Sequence, residues 1–221
     1  MLFIVATPIG NLGDITFRAV EILKSVDFIL CEDTRETSKL LAHYKIEKPL
    51  ISYHQHSKLQ KLEQIKDLLA QGKNLALVSD AGTPGIFDPG NQLVEYIAKN
   101  LPDTKIVPIP GASAVISALS VSGFPTDKFL FLGFPPHKKG RNKYWQEVKG
   151  AGHTVAFYES KYRIIKSLEE LKTAVGDAEI VVCRELTKMF ETVYRGSISE
   201  VLDEFKKTTP RGEYVVVVRN H

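Results

Sequence analysis

Long apolar runs are missing from this chain of 221 residues. No stretch approaches the ~20 apolar residues that a membrane-spanning helix needs. The N-terminal Leu2-Phe3-Ile4-Val5-Ala6 is too short for a signal peptide and follows no basic segment, so it reads as a first strand. Cysteine is scarce. Cys31 and Cys183 each sit beside an apolar run, and two isolated cysteines make no metal pattern. They read as buried, reduced thiols of a cytoplasmic protein. Charge of one sign is lacking too. Lysine plus arginine total 29 against 26 acids, a net +3 that does not by itself establish a nucleic-acid partner. The dinucleotide fingerprint G-x-G-x-x-G is absent, since Pro8 stands where its first glycine would be, and no Gly-Lys-Ser/Thr of a P-loop follows. A nicotinamide-dependent oxidoreductase is thereby disfavoured.

What remains is the composition of a soluble globular protein, 43% hydrophobic and 25% charged, long enough for one large or two small domains. Strand-like and helix-like patterns alternate through the first half. Strands are expected at 2–6, 28–31, 50–53, 75–78 and 106–109, and helices at 16–26, 35–43, 91–99 and 112–122. Ser57-x-x-Gln60 reads as a capping box that opens a further helix to Gln71, closed by Gly72. Strands separated by helices imply an open parallel sheet with helices on both faces. The second half has a different rhythm. Strands are expected at 129–132, 154–158, 180–184, 192–195 and 213–219. A helix over 161–174 is capped by Ser160, and a capping box Ser197-x-x-Glu200 opens a helix to about Lys206. Adjacent strands with no helix between them imply antiparallel pairing. The expected fold is therefore α/β in two domains, 1–115 with a parallel sheet and 116–221 with a mixed sheet, the boundary falling within 111–128.

Candidate site residues cluster in the loops after strands, where open α/β sheets bind ligands. Ser79-Asp80-Ala81-Gly82-Thr83-Pro84-Gly85-Ile86-Phe87-Asp88-Pro89-Gly90 is rich in glycine and proline and carries two carboxylates. Its composition forbids helix and permits unusual backbone, which packing alone does not require. Asp80 is placed to bind ribose hydroxyls or an ammonium group. Asp88, before Pro89, is either a second functional acid of the loop or simply a cap for the next helix. Thr7-Pro8-Ile9-Gly10 and Pro110-Gly111-Ala112-Ser113-Ala114 are two more turns of the same kind. Glu32-Asp33-Thr34-Arg35 is either an ion-pair cluster or part of a substrate cleft. His54 and His56 are solvated loop histidines or substrate contacts, with no third metal ligand in view. His137-Lys138-Lys139-Gly140-Arg141-Asn142-Lys143-Tyr144-Trp145 interleaves basic residues with the single tryptophan. It reads either as a nucleic-acid contact or as a solvated linker with Trp145 packed inward.

Six ordered motifs carry a resemblance that spans nearly the whole chain: 5–14, Cys31-Glu32-Asp33-Thr34-Arg35, 79–90, 110–114, Phe131-Leu132-Gly133-Phe134-Pro135-Pro136, and Cys183-Arg184-Glu185-Leu186-Thr187-Lys188. Together they resemble the small-subunit ribosomal RNA methyltransferase I family, within the tetrapyrrole methylase-like superfamily. The resemblance implies an S-adenosyl-L-methionine-dependent ribose 2′-O-methyltransferase. Its substrate would be a cytidine in the decoding region of 16S ribosomal RNA, free or in the assembled small subunit. It further implies a cytoplasmic homodimer with the cofactor in a cleft between two α/β domains. Carried over by motif, the cofactor contacts are Pro8, Asp80, Ala81, Gly82, Thr83, Ser113, Ala114, Tyr158 and Leu186. Glu32, Asp33 and Arg35 are expected to line the reaction site. Glu32, Asp33, His54 and Glu185 are the candidate bases, and Arg35, Arg184 and Lys188 could hold phosphate. Lys138, Lys139, Arg141 and Lys143 are the expected RNA contacts, and the chemistry requires no metal. Two alternatives stand beside this: corrin methylation, and a non-catalytic RNA-binding protein with a vestigial cofactor fold.

Overall fold

Each strand of the first half alternates its side chains between two apolar layers, as a sheet covered on both faces requires. The computed structural model describes residues 1–54, 59–88, 90–207 and 209–220. The Ser57 capping box and His56 lie outside these residues. The contacts divide the chain into two units, Met1–Ser113 and Ala114–His221.

In the first unit, β1 (Leu2–Val5), β2 (Phe28–Cys31), β3 (Leu50–Ser52), β4 (Leu75–Leu77) and β5 (Ile106–Ile109) form one sheet in the order β3-β2-β4-β1-β5, all parallel. Phe3, Val5, Ile29, Cys31 and Ala76 pack with Ala19 and Leu23 of α1 (Phe17–Ser25) and Leu41 of α2 (Thr34–His43). Leu2, Leu30, Leu75 and Leu77 face the other way. They pack on Ile65 and Leu69 of α3 (Leu59–Ala70) and on Leu93 and Ile97 of α4 (Asn91–Asn100). Thus β1 and β4 are neighbours, yet the helices that follow them lie on opposite faces. That divergence is a topological switch point, and it opens a crevice at the carboxyl ends of the two strands.

The second unit starts with α5 (Ala114–Ser122). Its sheet runs β6 (Phe129–Phe131), β7 (Thr154–Ser160), β10 (Glu213–Val218), β8 (Glu179–Arg184), β9 (Thr192–Ser197). Only β6 and β7 pair in parallel. The other three pairs are antiparallel, which makes the sheet mixed. Val115, Ala118 and Leu119 of α5 cover Ala156, Val181, Cys183, Val215 and Val217 on one face. On the other face α6 (Arg141–Gly150), α7 (Ile164–Val175) and α8 (Ile198–Lys206) bury Val155, Phe157, Ile180, Val182 and Val216. Ser197 caps α8 in the expected capping box with Glu200. Ser160 does not cap α7. It ends β7, and Arg163 occupies the cap position without a side-chain bond.

The basic segment 137–145 departs most from the sequence reading. It is neither a linker nor wholly a surface patch, because Arg141 begins a helix. Arg141, Tyr144, Trp145 and Val148 recur at helical spacing and are all buried. Arg141, expected as an RNA contact, is instead fixed inside the unit with 8% of its side chain exposed. Its Nε donates to Glu170 Oε2 at 2.5 Å, its Nη2 to Ser167 Oγ at 2.7 Å and its Nη1 to the Pro136 carbonyl at 2.9 Å. Trp145 Nε1 donates to the same Glu170 oxygen. Behind them lies Glu159, whose side chain is fully buried. It accepts from Ser167 Oγ at 2.5 Å and from the Ser160 amide at 2.7 Å, and it pairs with Arg163 at 2.9 Å. Arg163 Nη1 in turn donates to the Pro135 carbonyl. Two guanidinium groups thereby pin the Pro135-Pro136 turn to α7, and the turn presents Lys138 and Lys139 to solvent. Removing one member of such a network leaves a buried group unpaired, at a cost of about 3–5 kcal/mol. Arg141→Ala is expected to lose about 3 kcal/mol in urea unfolding, while Lys143→Ala on the exposed face of α6 changes stability by less than about 0.5 kcal/mol. Equal small losses for the two would refute the structural role of Arg141.

Candidate functional site

Three loops leave the first unit's sheet at the switch point and are tied to one another by backbone. Thr7, after β1, and Gly82, after β4, exchange both amide bonds: Thr7 N to Gly82 O at 2.9 Å and Gly82 N to Thr7 O at 3.1 Å. Gly82 holds φ +86°, a left-handed value that suits glycine. Thr7 Oγ1 donates to the Ser79 carbonyl at 3.0 Å, and Ser79 Oγ donates to the Gly82 carbonyl at 3.1 Å. The loop after β5 joins through Thr83 Oγ1, which donates to the Ala112 carbonyl at 3.2 Å. Gly111 permits that approach. A Cβ there would stand 2.8 Å from the Ala6 methyl. Pro8 and Gly82 are buried, Thr83 and Ser113 half-buried, and Asp80 and Ala81 exposed. The structure therefore brings the Pro8, Asp80–Thr83 and Ser113 segments to one edge of one sheet. Ala114 opens α5 directly after Ser113.

The loop after β2 adds acids to the same edge. Asp33 caps α2, accepting from the Arg35 amide at 2.8 Å, and grips the Arg35 guanidinium at 3.0 and 2.6 Å. Those hydrogen bonds hold its carboxyl well below the usual carboxylate range. The Asp33 amide donates to Asp80 Oδ1 at 3.2 Å, which links the two acidic loops. Glu32 behaves oppositely. Partial burial and then the charge of Asp80 push its carboxyl up, against the pull of His54. The same logic picks out the second acid of the loop after β4. Asp88 does not cap α4, whose cap position is Gly90 with no side-chain bond. Instead, burial and the charges of Glu32 and Asp80 push its carboxyl up to about 6. Its sequence signal was the order Asp88-Pro89-Gly90, which reads as a helix start and so concealed the electrostatic role. Among the described residues no group of three or more His, Cys, Asp and Glu can hold a metal ion.

On the second unit, Tyr158 stands near the end of β7. Its amide donates to the Gly133 carbonyl at 2.9 Å, and its ring meets Phe131 and Phe134 edge-on at 4.8 and 5.5 Å. Leu186 follows β8 between two left-handed residues, Glu185 at φ 51° and Thr187 at φ 67°. Side chains hold this turn. Glu185 Oε1 accepts from the Glu213 amide at 3.0 Å and from Lys188 Nζ at 3.1 Å, and Glu191 accepts from the Thr187 amide at 2.6 Å. Lys188 pairs with both Glu185 and Glu213, and Arg184 Nε donates to the Arg211 carbonyl. Glu185, Arg184 and Lys188 thus serve the turn's own geometry. Lys138, Lys139 and Lys143 are exposed around the start of α6.

Residues 1–202 match the profile of the tetrapyrrole (corrin/porphyrin) methylases. A Thermotoga maritima protein named ribosomal RNA small subunit methyltransferase I is 44% identical over 217 residues, covering 98% of this chain and 97% of the relative. A Streptococcus pyogenes protein of the same name is 46% identical over 218 residues, covering 98% and 75%. Among solved structures, a cobalt precorrin-4 methyltransferase of cobalamin biosynthesis aligns with TM-score 0.70 at 18% identity, covering 99% of this chain and 94% of that one. A diphthine synthase aligns with TM-score 0.74 at 12% identity, covering 99% and 89%. At these identities the structural neighbours establish the fold alone.

The raised carboxyl of Asp88 has a stability consequence. A carboxylic acid whose folded pKa exceeds its unfolded value binds more protons when folded, so stability falls as pH rises between the two. The penalty is absent below the unfolded value, near 3.8, and complete above about 6. Asp88→Asn is therefore expected to stabilise the protein on the order of 1 kcal/mol at pH 7.5 and to leave it unchanged at pH 3.5. Thermal melts of both proteins across that range check the sign.

Proposed function

Because the chain belongs to the tetrapyrrole (corrin/porphyrin) methylases, we propose that it transfers a methyl group from S-adenosyl-L-methionine to small-subunit ribosomal RNA. The acceptor would be the ribose 2′-hydroxyl of a cytidine in the decoding region. The observation that carries this reading is the near full-length likeness to small-subunit ribosomal RNA methyltransferases, joined to the three-loop crevice at the switch point. A homodimer working in the cytoplasm completes the proposal.

The residues at the crevice fit the cofactor chemically. The lack of side chains at Gly82 and Gly111 lets the three loops close on one another, and Asp80 offers an exposed carboxylate to ribose hydroxyls. Pro8, Asp80, Ala81, Gly82, Thr83, Ser113 and Ala114 are the proposed contacts there, with Tyr158 and Leu186 on the second unit. Bound S-adenosylmethionine supplies a methyl on a positive sulfur, which departs as a neutral thioether and needs no acid. Carboxylates along the edge favour that positive charge. The work left to the protein is positioning and removal of the 2′-hydroxyl proton. Asp33, gripped by Arg35, is a weak proton acceptor. Glu32 is the better base, because partial burial and the charge of Asp80 raise its proton affinity. Asp33 and Arg35 then serve to hold the loop that carries it.

Labelled methyl transfer tests the reading, with ribosomal RNA, assembled small subunits and a corrin precursor offered in parallel. Label on an RNA ribose is expected, and label on the corrin alone would redirect the assignment. In single turnover, Glu32→Gln is expected to slow transfer by about 10²–10⁴-fold with cofactor affinity retained. A full rate would remove Glu32 as the base. Neutralising Lys138, Lys139 and Lys143 together is expected to lower the slope of log affinity against log salt by about 2.

A further inference from the structure

An open cavity of about 540 Å³ lies on the second unit, far from Tyr158 and Leu186. It sits where β6 and β7 begin and β10 ends, and Asp127, Lys128, His153, Thr154 and Arg219 line it. Thr154 lies about 13 Å along β7 from Tyr158. Thr154 Oγ1 donates inward to the Pro125 carbonyl, so the cavity's outward donors come from its charged residues. Lys128 is exposed and has no ion-pair partner among the described residues. His153 places Nδ1 at 2.7 Å from the Gly152 carbonyl.

Arg219 is the informative group. Nη1 is spent on Glu179 at 2.7 Å, while Nε is buried and meets no acceptor among the described residues. With Nε enclosed and Nη1 engaged, Nη2 is the guanidinium donor left to meet a phosphate oxygen. The lining carries two permanent cations against the single acid Asp127. Asn220 bonds the Val148 carbonyl, so this end of α6 adjoins the cavity. The exposed Lys149 stands there, Lys143 lies about 9 Å away along the helix, and Lys138 and Lys139 precede the helix's other end.

We infer that this cavity binds a phosphodiester of the RNA at a distance from the reacting nucleotide, with Lys128 and Arg219 as the phosphate ligands. The inference rests on the ribosomal RNA reading above. Exposed lysines at both ends of α6, one of them beside the cavity, suit a polymer rather than a free anion.

Binding of two RNAs across a salt series tests it: a long ribosomal fragment, and an oligonucleotide of only two nucleotides that includes the target, whose span of roughly 7 Å falls short of the cavity. Lys128→Gln with Arg219→Gln is expected to weaken the long fragment roughly fivefold at low salt and to lower its salt slope by about 1.4. The oligonucleotide and S-adenosylmethionine should bind as before. Lys128→Gln alone, at an exposed position, should give about half the slope change and guards against misfolding of the double variant. Unchanged binding of the long fragment by either folded variant would overturn the inference. So would saturable binding of inorganic phosphate that the double variant abolishes while RNA affinity stays constant. Failure of the methyltransferase reading shows separately, as no methyl transfer by the unaltered protein, and leaves the RNA comparison readable.

Discussion

The pair of amide bonds between Thr7 and Gly82 is the constraint on which the candidate site depends. Strands β1 and β4 lie side by side, but the chain leaves them toward opposite faces of the sheet. Two loops that diverge in this way would otherwise separate. Their mutual bonds stop them at a fixed distance, and the side-chain bonds of Thr7, Ser79 and Thr83 spread that fixation to the loop after β5. Backbone polar groups that would have needed water are paired among the loops themselves. The Asp80 carboxylate is left pointing away from this scaffold, toward the Asp33 amide.

A second constraint governs the other unit, and it is electrostatic. Glu159 is a charge with no exposed surface, tolerable only because a hydroxyl, an amide and a guanidinium all donate to it. The arginines that serve this network also hold the carbonyls of Pro135 and Pro136. Buried charge is thus exchanged for definition of a surface turn. The lysines beyond that turn sit on a rigid support, although they lie in a segment whose composition suggests a loose linker.

Much of this was legible in the sequence. The parallel order of the first unit followed from strand and helix alternation. The mixed sheet followed from the adjacent patterns around 180–184 and 192–195, and Ser197-x-x-Glu200 marked its helix start. What misled was local chemistry that tertiary context overrode. Arg141 looked like one more cation in a basic run, yet its spacing to Tyr144, Trp145 and Val148 is that of a buried helix face. Asp88 looked like a cap because glycine and proline followed it. Its neighbours in space, Glu32 and Asp80, come from distant parts of the chain. Ser160 looked like a cap for α7 but was consumed by a strand two residues longer than its apolar run implied. Charge partners distant in sequence are what pattern reading does not supply.

The contact between Gly111 and Ala6 bears on how the protein could be engineered. Replacing glycine with alanine is a common stabilising strategy, since it narrows the unfolded ensemble. At Gly150, at the end of α6, an added methyl meets nothing within 4 Å, and the strategy is open there. At Gly111 the same methyl would overlap Ala6 and push apart the turns after β1 and β5. A stabilisation campaign guided by residue type alone would treat the two glycines alike. One of them is spare, and the other is part of the site's dimensions.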